Sequence, residues 1–240
     1  MPTLWYDATI IDIKNLSPNT KQFSLEVKGI DSFSFIPGQF ITFDLPVSEK
    51  RLDRWKSYSI SNAPSGKKII ELCIVRSENG LGTKYLFEEI RVGSVLKFKG
   101  PDGSFIIPDS LDKEIIMLCT GTGVAPFRSM LKHIEHLNLP FNKIHLIFGT
   151  RNESGTLYMD EWQRLSKMKP NFQFDIALSR EQKAGFYNGY IHDIYIKKYA
   201  AVREDRIFYI CGWSGMVDQA VSHIIDMGYH RTQIRYELYG

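Results

Sequence analysis

Glu114-Ile115-Ile116-Met117-Leu118-Cys119-Thr120-Gly121-Thr122-Gly123-Val124-Ala125-Pro126-Phe127 is the stretch on which the reading of this chain turns. The unbroken apolar run from Ile115 to Cys119 describes a strand buried on both faces, the habit of a parallel sheet. Gly121 and Gly123 let the backbone turn tightly and approach a ligand, and Ala125-Pro126 opens a helix in whose first turn a missing N–H costs little. Free amides at such a helix start favour an anion. Pro126 stands where a full G-x-G-x-x-G would place its third glycine, so a plain strand-to-helix connection is also a reading of this turn.

Downstream the alternation of strand and helix continues. Lys143–Phe148, Phe172–Leu178 and Arg206–Cys211 are compact apolar strands, and the segments 126–137, 157–168 and 215–227 are amphipathic, which predicts a parallel sheet covered by helices. Cys211-Gly212-Trp213-Ser214-Gly215-Met216 repeats the glycine turn after a later strand. Ligands of open parallel sheets lie beyond the carboxyl ends of the strands, so both turns are expected at one crevice, with Ser179-Arg180 at the same edge. An arginine there can fork two donors onto a phosphate, or stand as a solvated loop cation.

Upstream the hydrophobic period falls to about two. Tyr6–Ile13, Thr20–Val27, Gln39–Leu45, Ile69–Val75 and Ser94–Lys99 read as strands, punctuated by Pro37-Gly38, Pro64-Ser65-Gly66 and Gly100-Pro101-Asp102-Gly103. Lys56-Ser57-Tyr58-Ser59-Ile60-Ser61-Asn62-Ala63-Pro64 is a further strand ending in a turn, and it offers an aromatic face, hydroxyls and a cation to a flat ring bearing a phosphate. One helical stretch, 83–90, interrupts this half; Gly80-Leu81-Gly82-Thr83 opens it with an amide-rich start, Thr83 being its N-cap in the plainer reading. Lys56 and Arg76 bring positive charge toward the same place. The expected architecture is β + α/β: an N-terminal antiparallel six-stranded β-barrel over 1–108, then a parallel-sheet α/β domain over 109–240. Two sites of this kind, one per half, point to electron transfer between two nucleotide cofactors.

The whole-chain properties narrow the class. With 240 residues there is length for two domains. A formal charge of +3, a pI near 8.6 and scattered Lys/Arg do not indicate nucleic acid binding, although a modest positive face can steer a small acidic protein. No apolar stretch is long enough to span a bilayer, and Met1-Pro2-Thr3-Leu4-Trp5 leads straight into patterned sequence without a leader, so a cytoplasmic location is expected. Cys73, Cys119 and Cys211 have no cluster or zinc spacing and read as buried thiols. A one-electron partner is then a separate molecule.

Tyr58-Ser59-Ile60-Ser61, Gly80-x-x-Thr83-x-x-Leu86, Gly100-Pro101-x-Gly103-x-Phe105, Gly121-Thr122-Gly123-x-Ala125-Pro126-Phe127, Cys211-Gly212-x-x-x-Met216 and Tyr236-Glu237-Leu238-Tyr239, in this order, resemble the ferredoxin-NADP reductase-like flavoproteins. The resemblance covers almost the whole chain. It implies an FAD-binding barrel followed by an NADP- or NAD-binding domain, with a hydride passing between nicotinamide and flavin. By matched position, Tyr58 would stack on the isoalloxazine, Ser59 would hydrogen-bond near its N5, and Ile60 and Cys73-Ile74-Val75-Arg76 would line the flavin side. Gly82 and Thr83 would hold the FAD pyrophosphate. Thr122, with Gly123, Ala125 and Pro126, would meet the nucleotide phosphates, Cys211 and Gly212 would lie beside the nicotinamide, and Glu237 and Tyr239 resemble the family's catalytic carboxylate and mobile flavin-capping aromatic.

Two positions depart from the family pattern. Lys56 replaces the arginine expected two residues before Tyr58, with Arg54 as the nearby guanidinium, and the basic-x-Tyr feature that follows Ser179-Arg180 appears as Asn188-Gly189-Tyr190. Ser179-Arg180 predicts NADP in preference to NAD. The implied activity is a monomeric ferredoxin-NADP reductase type enzyme working with ferredoxin or flavodoxin and holding no metal. The alternatives are the NADH-dependent reductase of a multicomponent oxygenase and a flavin-binding regulatory or electron-transfer subunit.

Overall fold

The computed structural model describes residues 4–239; Met1, Pro2, Thr3 and Gly240 lie outside the described residues. In chain order the elements are β1 (Trp5–Ser17), β2 (Thr20–Val27), β3 (Phe40–Asp44), the single turn α1 (Arg51–Arg54), β4 (Trp55–Ser59), β5 (Ile69–Val75), α2 (Leu81–Glu88) and β6 (Val95–Asp102). There follow β7 (Glu114–Thr120), a 3-10 turn (Gly121–Gly123), α3 (Val124–His136), β8 (Lys143–Thr150), α4 (Met159–Met168), β9 (Phe172–Leu178), β10 (Tyr187–Asn188), α5 (Ile191–Lys198), β11 (Arg206–Trp213), α6 (Ser214–Asp226) and β12 (Ile234–Tyr239).

Two compact units result: one ends at Ile107 and includes Ala125–Asn138, and the other comprises Pro108–Val124 and the chain from Leu139 onward. Helix α3 therefore follows the second half in sequence and the first unit in packing.

The first unit is an antiparallel sheet in the order β4-β3-β6-β1-β2-β5. Period-two burial explains its strands. In β6, Leu96 and Phe98 face inward while Val95 and Lys97 face out. The inward set of all six strands, with Phe23, Phe43, Phe98, Ile10, Leu25 and Ile41 fully buried, forms one core, each such side chain contributing about 1.5–3 kcal/mol. Ile60 and Leu72 bridge the two edge strands, and Ser61 N–H donates to the Glu71 carbonyl at 2.8 Å, so the sheet closes on itself as a barrel.

The second unit is all parallel in the order β10-β9-β8-β7-β11-β12. Strands β8, β9 and β10 grow to one side of β7, and β11 and β12 to the other, so the order reverses between β7 and β11. A polar network ties the sheet to α5. His145, fully buried on β8, shares a 2.5 Å hydrogen bond with the Tyr199 hydroxyl and lies 2.9 Å from Asp175, which also accepts from Lys198 at 2.5 Å.

Burial holds the His145 pKa below the ordinary histidine value, against the opposing pull of Asp175. The unfolded chain then binds a proton that the folded one refuses. Stability from this group is complete above about pH 6.5, the unfolded value, and is lost as pH falls through the lower folded value. His145→Gln is expected to be less stable at pH 7 but to lose less stability between pH 6.5 and 5 in thermal unfolding. Parallel acid limbs for the two proteins would contradict this role.

Candidate functional site

In the barrel unit the site is built on a seam. The antiparallel bridge at Ile60 and Leu72 would, if continued, set Tyr58 opposite Ile74 and Lys56 opposite Arg76, but no ladder forms there. Two strand edges with unpaired backbone groups border this opening, and such groups demand polar partners. Tyr58 stands on one edge, half-buried with its ring 5.8 Å from Phe43; burial raises its hydroxyl pKa, so it is neutral. Ser59 beside it is buried. The side chains of Ile60 and Ile74 face the core rather than the seam, so these two offer only main chain to a ligand, while Val75 is half-buried.

Helix α2 begins at the N-cap Gly80 with no side-chain cap, leaving its first-turn amides unclaimed by any side chain. Thr83 is not the cap: it sits in the first turn, where its hydroxyl accepts from Ser77 N–H and donates to the Gly80 carbonyl, each at 3.1 Å. Gly82 is buried at this mouth, and a Cβ on it would stand 2.8 Å from Cγ of Lys56. The Lys56 stem thus packs over the helix start while its ammonium donates to the Leu52 carbonyl at 3.2 Å. No carboxylate neutralises Lys56 among the described residues. Arg76 differs from expectation in being paired with Glu88. Arg54 likewise gives its fork to Asp44 at 2.7 and 2.9 Å and does not replace the missing guanidinium. The uncapped amides, the unneutralised Lys56 and the open seam fit a flat ring carrying a pyrophosphate.

In the sheet unit the site lies where the strand order reverses. At the carboxyl ends of β7 and β11, Gly123 is packed so tightly on the Cys211 carbonyl that a Cβ would overlap it, with the Gly212 Cα at 2.9 Å. Gly121, at φ +52, has open space where its Cβ would be, and Thr122 between them is half-buried. Thr120, the last residue of β7, keeps a buried hydroxyl with no hydrogen-bond partner among the described residues. An orphaned hydroxyl and an uncapped glycine turn fit a polar, phosphate-bearing ligand. Ala125 and Pro126 are buried in α3, so their contribution is to fix the helix start.

Cys211 is fully buried and in register with Cys119 on β7 and Glu237 on β12. Burial, followed by the Glu237 charge, pushes its thiol pKa well up, and a hydrogen bond links it to Tyr239. The thiol is therefore protonated and is no nucleophile. Tyr239 ends a laddered strand, opposite Trp213, rather than a loose tail.

Ser179 and Arg180 continue β9 past its end, their N–H groups donating to the carbonyls of Thr150 (3.0 Å) and Arg151 (2.9 Å). Arg180 is exposed, and its guanidinium has no partner among the described residues; the same holds for Arg151, which the sequence reading missed. Its signal was available, since it follows β8 as Arg180 follows β9. Tyr190 is exposed after the short β10.

Residues 7–107 match the oxidoreductase FAD-binding domain model and residues 117–222 the oxidoreductase NAD-binding domain model. The chain belongs to the ferredoxin-NADP reductase-like family. It is a flavoenzyme with an FAD-binding and an NAD(P)-binding domain. Ferredoxin--NADP reductase B of Sorangium cellulosum is 29% identical over 88% of both chains. The phenol hydroxylase P5 protein of Acinetobacter pittii is 30% identical over 92% of this chain but only 61% of its own length. In structure, a ferredoxin NADP+ reductase from Neisseria gonorrhoeae solved with bound FAD and NADP superposes with a TM-score of 0.82 over 98% of both chains at 24% identity. Among the described residues no helix is long and apolar enough to cross a membrane.

Proposed function

We propose that this flavoenzyme uses NADP(H) and exchanges electrons with ferredoxin or flavodoxin, acting as a cytoplasmic monomer. Bound FAD would supply the chemistry of trading a two-electron hydride against single electrons. The chain's own residues would orient and shelter it: Tyr58 would cover one ring face, Ser59 would offer a hydroxyl to the ring, and Gly82, Thr83 and Lys56 would hold the pyrophosphate. Gly121 to Gly123 receive the pyridine nucleotide phosphates, and Glu237 is the carboxylate of the proton side. Tyr239, hydrogen-bonded to Cys211, would have to give way to the nicotinamide.

The observation that carries NADP is the pair of exposed guanidiniums, Arg151 and Arg180, which have no partner among the described residues at the carboxyl edge of β8 and β9. Two forks without carboxylates suit the extra phosphate that separates NADP from NAD. Near end-to-end similarity to a ferredoxin-NADP reductase adds support. The similarity to the phenol hydroxylase component supports the second reading, an NADH-dependent oxygenase reductase.

An anaerobic titration of the flavin-loaded protein decides between them. Absorbance is expected to bleach at far lower NADPH than NADH, and Arg180→Ala should weaken NADPH by about 1–3 kcal/mol while sparing NADH. Equal losses would remove Arg180 from phosphate recognition, and an NADH preference in the wild type would favour the oxygenase reading.

A further inference from the structure

Two of the cysteines face one another across the sheet unit. Cys119 on β7 and Cys211 on β11 are fully buried, reduced, and opposite each other in the parallel ladder between those strands. Residues in register on neighbouring strands project to the same face, so the two thiols leave the sheet side by side, about 4.7–4.9 Å apart at their base. A disulfide needs its Cβ atoms about 3.8 Å apart and draws the sulfurs to about 2.05 Å, closer than the ladder holds them. A linear sulfur–metal–sulfur bridge with metal–sulfur bonds of about 2.3 Å spans about 4.6 Å, which the ladder supplies without moving a strand. Among the described residues no group of three His, Cys, Asp or Glu side chains could hold a metal ion, so a cation that demands four donors, such as Zn2+, is not served.

We propose that Cys119 and Cys211 form a clamp for a soft, two-coordinate cation, Cu+, and that filling it shuts the pyridine nucleotide site; the second part rests on the functional reading above, in which Tyr239 and Cys211 stand where the nicotinamide enters. Thiolate sulfur is a ligand suited to Cu+. Binding replaces two S–H bonds by two Cu–S bonds and releases two protons, with no change of oxidation state at copper or sulfur, so the protonated thiols of the resting protein are no obstacle. The bis-thiolate complex carries one negative charge. Two amide-rich starts lie at this edge of the sheet to meet it, the 3-10 turn Gly121–Gly123 after β7 and α6 after β11, neither with a side-chain cap. Copper also occupies the sulfur to which Tyr239 is hydrogen-bonded, and so enters the contact that the nicotinamide must open. Cys73, on β5 of the barrel unit, has no part in the clamp.

The test uses the flavin-loaded enzyme under anaerobic conditions, with Cu+ offered as its bicinchoninate complex. The protein is expected to withdraw one equivalent, slowly because both thiols are closed to solvent, and copper X-ray absorption should show two sulfur neighbours in a line. Loading is expected to slow flavin bleaching by NADPH about tenfold or more with FAD content unchanged. Cys119→Ser leaves one thiol and should weaken Cu+ binding about a hundredfold or more, while the copper-free variant bleaches as the wild type does. Cys119→Val makes the same test if the serine disturbs folding, and Cys73→Ser should bind Cu+ as the wild type does. Uptake that both Cys119 variants retain, a copper site with nitrogen or oxygen neighbours, or a disulfide joining Cys119 to Cys211 in the air-exposed protein overturns the clamp. Two-sulfur uptake that leaves bleaching undiminished overturns the inhibition. A copper-free wild type that neither NADPH nor NADH bleaches defeats the functional reading on which the inhibition rests, while Cu+ uptake still decides the clamp.

Discussion

Gly123→Ala is expected to lower kcat/KM for the pyridine nucleotide by on the order of a hundredfold while leaving FAD bound. A Cβ at this position has nowhere to go: it overlaps the Cys211 carbonyl and sits 2.9 Å from the Gly212 Cα. Both obstacles are backbone, so neither can swing aside as a side chain would. The turn at 121–123 or the end of β11 must retreat, at about 1–3 kcal/mol of overpacking strain. A shift approaching 1 Å in groups that position a reacting ring costs on the order of a hundredfold in rate. Gly121→Ala makes the internal comparison. Its Cβ meets open space, and the penalty there comes from φ +52 alone. Gly123→Ala should therefore be the worse enzyme in nucleotide-dependent flavin bleaching, and the reverse order would show that the close approach to Cys211 does not set the site.

That close approach joins residues far apart along the chain, and this is the level at which the sequence stops speaking. Elements with strong local patterns were legible: Thr20–Val27, Ile69–Val75 and Phe172–Leu178 coincide with strands because alternation or unbroken apolar runs need no distant information. Short elements supported by neighbours were not. Helix α5 buries Ile191, Ile194 and Tyr195 at helical spacing, but only two turns of it exist, and β12 is an edge strand whose alternation is shallow. Within the sites, position along the chain was readable and the direction of side chains was not. Ile60 and Ile74 border the seam yet point into the core, a matter of pleat parity. Arg54 is taken by Asp44 because the register of β3 and β4 sets Asp44 opposite Trp55, which no local pattern encodes. Among the described residues Lys56 has no carboxylate, and past the ends of β8 and β9 the guanidiniums of Arg151 and Arg180 have no partner, facts of tertiary placement that no local pattern encodes.

Glu71→Ala is expected to destabilise the barrel unit strongly through loss of a single ion pair. Arg128, on α3, has a side chain only 5% exposed, and its guanidinium donates to the Glu71 carboxylate at 2.6 Å and to the Ser61 carbonyl at 3.1 Å. Removing one partner of a largely buried ion pair usually costs about 3–5 kcal/mol. Glu71 is 26% exposed, so water can enter once it is gone, and a loss near 3 kcal/mol is the reasonable figure. For a protein of this size that corresponds to roughly 6–12 °C in Tm. Arg128→Met should cost less, because Glu71 can turn toward water while the methionine fills the buried space. Ser129, whose hydroxyl donates to the Asn62 carbonyl at 2.7 Å, still ties α3 to the barrel in both variants. If Arg128→Met proves the more damaging of the two in thermal unfolding followed by FAD release, the guanidinium is acting through its packing and its bond to Ser61, and the pair with Glu71 is not what holds this helix.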